Sequence, residues 1–291
     1  MSSNNQKQSV LFTFSFIVVL CFACSVLLSV LSIVLRDKQS RAEEFNESRE
    51  LLMAAVALDS KGHFLMREAD GSLRAARFKK GKLKPSSERV ASENQVFNFF
   101  RKHVEAFLVD HSGKIYSFES LGLNKSEYLA KNKKTGFSHL DYKLVYCLKD
   151  QKGQIDSYIF PIKGFGLWDA IYGFLAMEID GMTVRGISWF EHKETPGLGA
   201  HISNPSWQKQ FRGKQLFSDT GANLDKAPIG LLVVKPAEKE RYQGARLMSV
   251  VDGIPGATLT GNGVMRAYKE SMEPYRAFLR SLHKNRKKGE A

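Results

Sequence analysis

Asp252-Gly253-Ile254-Pro255-Gly256-Ala257-Thr258-Leu259-Thr260-Gly261-Asn262-Gly263 sets two threonine hydroxyls among glycines, immediately before an amphipathic segment that begins at Val264. Glycine lets main chain approach a ligand closely, and the free N–H groups and dipole at a helix start favour an anion, so the stretch suits a phosphate. A plainer reading is equally available in the residues alone: a turn followed by a helix that Thr258 or Thr260 caps. Both readings place a helix after the motif and a strand before it, over residues 247–251.

Upstream of that strand the chain changes character at Tyr142. Short β-branched and aromatic runs cover residues 144–148, 157–162, 172–179 and 183–192, separated by turn sequences at 150–153, 164–166 and 180–181. That spacing predicts an antiparallel sheet with hairpin-like connections. Asn204-Pro205 opens a short helix through Trp207 and Phe211, and a further strand lies near residues 230–234. Beyond the motif, a helix over 262–279 is expected to bend near Pro274, followed by a basic tail at 281–291. Strands and helices segregated in this way make an α+β domain, assigned to residues 142–280.

The N-terminal half is of other kinds. After a short tail at residues 1–9, residues 10–35 carry no formal charge and are long enough to cross a bilayer, which predicts a single transmembrane helix. Residues 36–58 turn polar and then amphipathic, as expected of a linker helix. Residues 59–141 form a variable α/β region. Its segment 63–90 reads as a loop or hairpin excursion, and 93–109 as a helix with Ser92 and Gln95 in capping-box spacing.

Composition narrows the function. The net charge of +13 comes from scattered residues without a nucleic-acid motif, so no nucleic-acid partner is expected and the lipid bilayer is the natural one. Only Lys7 precedes the apolar helix while Arg36, Lys38, Arg41 and Arg49 follow it, an arrangement that by charge alone would leave the domain in the cytoplasm. Three cysteines, two inside the apolar run and Cys147 in a strand, make no disulfide framework. His192 and His201 lack an accompanying carboxylate or thiolate set at ligand spacing, so no metal site is expected.

Three motifs in order resemble one family. Asp252-Gly-Ile-Pro-Gly-Ala-Thr258 resembles the flavinylation motif, on which a separate flavin transferase builds a phosphoester between FMN and the threonine hydroxyl; Pro255 stands where that motif has Ser or Thr. Glu194-Thr-Pro-Gly-Leu-Gly199 resembles the signature of the FMN-binding domain of electron-transfer flavin subunits. Gly164-Phe-Gly-Leu-Trp168 with Tyr172-Gly-Phe174 narrows the likeness to the C subunits of sodium-translocating NADH:quinone reductases, strongly over residues 158–268.

By that resemblance Thr258 carries FMN covalently, within a motif that includes Asp252, Gly256, Ala257 and Thr260. The same likeness implies that Glu194 and Thr195 make polar contacts to the flavin and that Leu198, in one turn with Gly197, makes an apolar one; the Gly-x-Gly-Leu-Trp turn can set Trp168 at a pocket wall, beside the plainer reading of a buried structural tryptophan. The chain would be an electron carrier without acid, base or nucleophile of its own, relaying electrons from NADH toward ubiquinone inside a multisubunit complex coupled to sodium export. It would be held by one helix in the bacterial inner membrane, its soluble domain periplasmic. Two alternatives stand beside it: the flavin subunit of the related ferredoxin:NAD reductase complex, and a membrane-anchored binding module in which the Gly/Thr stretch is only a capped turn.

Overall fold

The computed structural model describes residues 2–68, 70–86, 90–217 and 224–289, with the backbone alone at 2–11 and 287–289. Two compact units divide the chain, residues 1–47 and 48–291. Helix α1 (Ser2–Ala54) is continuous, so the expected tail, membrane helix and separate linker helix are one element. No glycine or proline interrupts it, which removes the usual causes of a break. Its bulky apolar residues from Phe12 to Leu35 are exposed, and it is long and apolar enough to cross a membrane. Four residues past the end of α1, Leu58 closes the expected linker as an isolated bridge partner of Phe64, not as helix.

In the second unit, β1 (Phe64–Arg67), β2 (Leu73–Lys79) and β3 (Lys82–Pro85) form a three-stranded antiparallel sheet. This corrects the loop or hairpin expected there. Ala76 and Phe78 alternate inward, and Phe64, Phe78 and Phe99 meet edge to face or tilted, giving the small sheet a core of its own. Helix α2 (Glu93–His103) carries the expected capping box at Ser92 and Gln95. It stops six residues early, because Val104–Val109 is strand β4 and pairs along its whole length with β6. The apolar spacing of Val104, Phe107 and Leu108 suits either element; the available partner strand selects extended backbone.

Strand β5 (Ile115–Tyr116), helix α3 (Lys125–Asn132), β6 (Lys143–Lys149), β7 (Ile155–Phe165), β8 (Ala170–Glu178) and β9 (Val184–Glu191) come next in the chain. The main sheet has the order β5-β4-β6-β7-β8-β9 and is antiparallel throughout. After a 3-10 turn come α4 (Pro205–Gln208), β10 (Leu232–Val234) and β11 (Val250–Asp252). The strand expected from residue 247 begins only at Val250, since Gly244–Ser249 is 3-10 helix. β10 and β11 pair in parallel, so the domain is mixed.

Helix α5 (Thr258–Met272) lies against β7, and a 3-10 turn at Glu273–Tyr275 joins it to α6 (Arg276–Gly289). The bend falls at Pro274 as expected, and the supposed tail from 281 continues as α6 through Gly289. Between sheet and helices sit Phe160, Leu175, Trp189, Tyr268, Tyr275 and Phe278, all at most 1% exposed. Their polar tips are satisfied: Trp189 Nε1 donates to the Tyr268 hydroxyl (2.9 Å), and Tyr275 donates to the Leu144 carbonyl (2.9 Å). Cys147 is buried on β6, and burial pushes its thiol up, which leaves it inert.

A groove at the start of helix α5

Two backbones meet closely where α5 crosses the end of β7. A Cβ added to Gly164 would lie 2.3 Å from the Cβ of Ala267, and one added to Gly263 would lie 2.2 Å from the Phe165 carbonyl oxygen. Only glycine permits that approach. It brings the first turn of α5 beside the turn after β7, where Gly166 donates its N–H to the Asp169 carbonyl (2.9 Å).

A carboxylate ties these pieces together. Glu194, 4% exposed, accepts from the backbone N–H groups of Leu167 (2.9 Å) and Trp168 (3.1 Å) with one oxygen, and from the Thr260 hydroxyl with the other. Gly166 and Gly199 pack so closely around it that a Cβ on either would fall within 2.7 Å of a carboxylate oxygen. Glu194 and Thr260 therefore hold the walls together from inside.

The groove so formed measures about 180 Å³, lined on one side by Leu167, Thr195, Leu198 and Gly199 and on the other by residues 256–260. Gly256 takes φ +75°, turning the chain into the helix. Ala257 is the N-cap and supplies no side-chain cap, which leaves the first amides of α5 for an outside acceptor. Thr258, the first helical residue, is exposed, while Ala257 and Thr260 are buried. The threonine-cap alternative fails on this geometry, because both threonines lie inside the helix and the one that is buried bonds Glu194.

Apolar side chains crowd the mouth of the groove. Trp168 is 68% exposed and anchored by its Nε1, which donates to the Thr195 hydroxyl (3.0 Å), so the face of the indole is presented to solvent. Leu198 and Leu259 are exposed beside the groove as well. Lys193 pairs with Asp169 (2.5 Å) at the rim, and the ammonium holds the Asp169 carboxyl below its ordinary range.

Asp252, Gly197 and Trp168, all expected at the site, stand outside the groove lining, Trp168 beside it through its bond to Thr195. Asp252 ends β11 and faces Lys239 (3.0 Å); its carbonyl accepts from Trp207 Nε1 (2.8 Å) and its N–H donates to Gln210 (3.0 Å). Gly197 sits at the tip of the 195–200 turn with φ +76°, its part being to bend the chain so that Leu198 faces the groove. Leu167 and Leu259 also line the groove; both stand inside the quoted motifs but were not singled out as site residues, because an exposed leucine has no signature of its own in sequence. Gly263, which closes the quoted stretch and lies inside α5, could have been found as a glycine within a helical pattern. His192 is turned toward Ser203 (3.2 Å), and burial pushes its imidazole down.

The FMN-binding domain family matches residues 166–273, from the turn beneath Trp168 to the end of α5. The C subunit of the Na(+)-translocating NADH-quinone reductase of Chlamydia muridarum is 38% identical over 285 residues, covering 91% of this chain and 90% of the relative. The chain belongs to the family of these C subunits. The C subunit of the Yersinia pestis reductase is 31% identical over 264 residues, with 87% and 84% covered. In fold, the crystal structure of the C subunit from Parabacteroides distasonis matches with a TM-score of 0.56 over 84% of this chain and 96% of that one, at 24% identity.

The residues of the groove fit FMN. An uncapped helix start with a positive-φ glycine before it suits the phosphate, and the exposed faces of Trp168, Leu198 and Leu259 suit a flat apolar ring. At about 180 Å³ the groove is well below the roughly 300 Å³ of a pocket that encloses a ligand. It can seat one part of a flavin and leaves the rest at the surface.

Proposed function

We propose that this chain is the electron-carrier subunit of a sodium-pumping NADH:ubiquinone reductase, with FMN attached through a phosphoester to Thr258. One observation carries the reading: Thr258 offers an exposed hydroxyl on the first turn of an uncapped helix, at the edge of a groove too shallow to retain a flavin by enclosure. A covalent bond supplies the retention that the groove lacks. Residues of the α5 start and Gly256 would hold the phosphate, Trp168, Leu198 and Leu259 would flank the ring, and Glu194 would keep both walls in register. Asp252, removed from the groove and near its approach, would be read by the flavin transferase. Bound FMN supplies stepwise electron transfer between carriers.

Nothing in the groove acts as acid, base or nucleophile in this reading, and no independent substrate turnover is expected. Electrons would enter and leave through the exposed edge of the flavin while partner subunits provide NADH oxidation, quinone reduction and the sodium path, since one uncharged helix offers no route for an ion. The soluble domain would lie on the periplasmic side of a bacterial inner membrane, anchored by α1. In-gel flavin fluorescence after denaturing electrophoresis tests the linkage. Coexpression with a flavin transferase is expected to give a fluorescent band for the wild type and none for Thr258→Val. A dark wild type, or a fluorescent Thr258→Val, overturns the proposal.

A further inference from the structure

A cavity of about 940 Å³ shares no residue with the groove. Its walls come from the end of β1, the β8–β9 hairpin, the turn at Arg212-Gly213 and one face of α6. Four guanidinium groups line it, from Arg67, Arg185, Arg212 and Arg286, against two carboxylates, Glu178 and Asp180. Those carboxylates are already committed. Glu178 pairs with Arg67 (3.0 Å) and faces Arg185 (3.7 Å). Asp180 accepts from the N–H groups of Met182 and Thr183 (both 2.8 Å) and from the Thr183 hydroxyl (2.6 Å), with Arg286 at 3.5 Å.

Arg212 is the remaining one. It is accessible to solvent, and no hydrogen bond or ion pair engages its guanidinium among the described residues. An exposed guanidinium without a counter-charge is available to pair with an incoming carboxylate through its planar fork of donors. Beside it the cavity is apolar: Ile179 is 48% exposed and Leu73 42% exposed, both side chains lining the wall.

A lone phosphate is a poor match, because it needs donors converging on one point, and here the paired arginines are held apart by their own carboxylates. A volume of this size, with one guanidinium left uncompensated at its wall and apolar side chains beside it, matches a length of chain that carries carboxylate and one or two apolar residues. We propose that this cleft receives an acidic segment of another subunit of the complex, with Arg212 as its principal charge contact and Ile179 and Leu73 as its apolar floor. The inference rests on the reading of the chain as a subunit of the reductase, and adds where a partner docks.

The test uses the full chain, expressed with its partner subunits, with p-benzoylphenylalanine in place of Ile179 and, in a second protein, in place of Leu73. Irradiation of the purified complex is expected to join one of these positions to a peptide rich in Asp and Glu from another subunit, identified by mass spectrometry. Arg212→Glu in the same background is expected to lower that yield by about tenfold, and Arg212→Lys to retain most of it. If neither position crosslinks to polypeptide in a complex that co-purifies intact, the inference is wrong. The same holds if only lipid is captured, or if Arg212→Glu leaves the yield unchanged. Should the wild-type chain bring down no partner subunit, the reading as a complex subunit fails first; flavin fluorescence at Thr258 reports separately on the electron-carrier role.

Discussion

Gly263→Ala is expected to separate α5 from β7 and disable the groove. The added Cβ would lie 2.2 Å from the Phe165 carbonyl oxygen, whereas a close C···O contact is about 3.3 Å, so one of the two backbones must move by roughly 1 Å. The carbonyl has little freedom, because Phe165 pairs with Ala170 in the β7–β8 ladder. Overpacking against fixed backbone costs about 1–3 kcal/mol, and at this overlap the upper half applies. Alanine returns about 1 kcal/mol of helix propensity, leaving a net loss of about 1–2 kcal/mol.

The internal control lies two residues earlier. A Cβ at Gly261 would meet the Val233 side chain at 3.4 Å (Cγ1) and 4.0 Å (Cβ), ordinary contacts. Gly261→Ala should then keep most of the propensity gain. For a unit of this size about 1 kcal/mol moves Tm by about 2–4 °C, so Gly263→Ala is expected to melt about 2–8 °C below the wild type, and Gly261→Ala at or up to about 4 °C above it. Thermal melts of the detergent-solubilised chain followed by circular dichroism, with in-gel flavin fluorescence on the same samples, make the comparison. If Gly263→Ala melts with the wild type and takes up flavin as well, close backbone docking does not position the groove.

Two further outcomes are expected. Glu194→Ala strands the Leu167 and Trp168 amides and the Thr260 hydroxyl, at about 1–3 kcal/mol for each donor left dry, whereas Glu194→Gln keeps an acceptor for the amides and lets the Thr260 hydroxyl accept from its NH2 group. Glu194→Ala should therefore melt well below Glu194→Gln and load less flavin; equal melts would show that Glu194 does not tie the walls. Glu50 is buried against Ser188, and burial pushes its carboxyl above the ordinary 4.5, with the Ser188 hydrogen bond and Arg49 opposing. The folded chain then holds this proton to higher pH than the unfolded chain, so stability is full below the ordinary value and falls as pH rises through the raised one. Glu50→Gln should flatten that part of the Tm–pH profile, and an unchanged slope would assign the dependence elsewhere.

Residues that interact along the chain were legible without a structure. The capping box at Ser92, the apolar run from residue 10, the hairpin strands from residue 144 and the helix after the Gly/Thr motif each depend on neighbours within a few positions, where spacing and turn chemistry act directly. The groove's residues were legible because three short motifs carry them. Partnership across the fold was not. Val104–Val109 has apolar spacing compatible with a helix, and only β6 alongside makes it a strand. The sheet at 64–85 was hidden because its core depends on Phe99 from the next helix. As residue types Thr258 and Thr260 are alike and only the motif resemblance singled out Thr258; the bond from Thr260 to Glu194, 66 positions away, turns one hydroxyl inward and leaves the other residue to solvent. Asp252 and Thr258 stand in one motif, yet the end of β11 and the start of α5 give the first to Lys239 and the second to the groove. Local spacing determined the elements and the chemistry of the motifs; long-range packing, in which backbone meets backbone across glycine, decided which of those groups face a common groove.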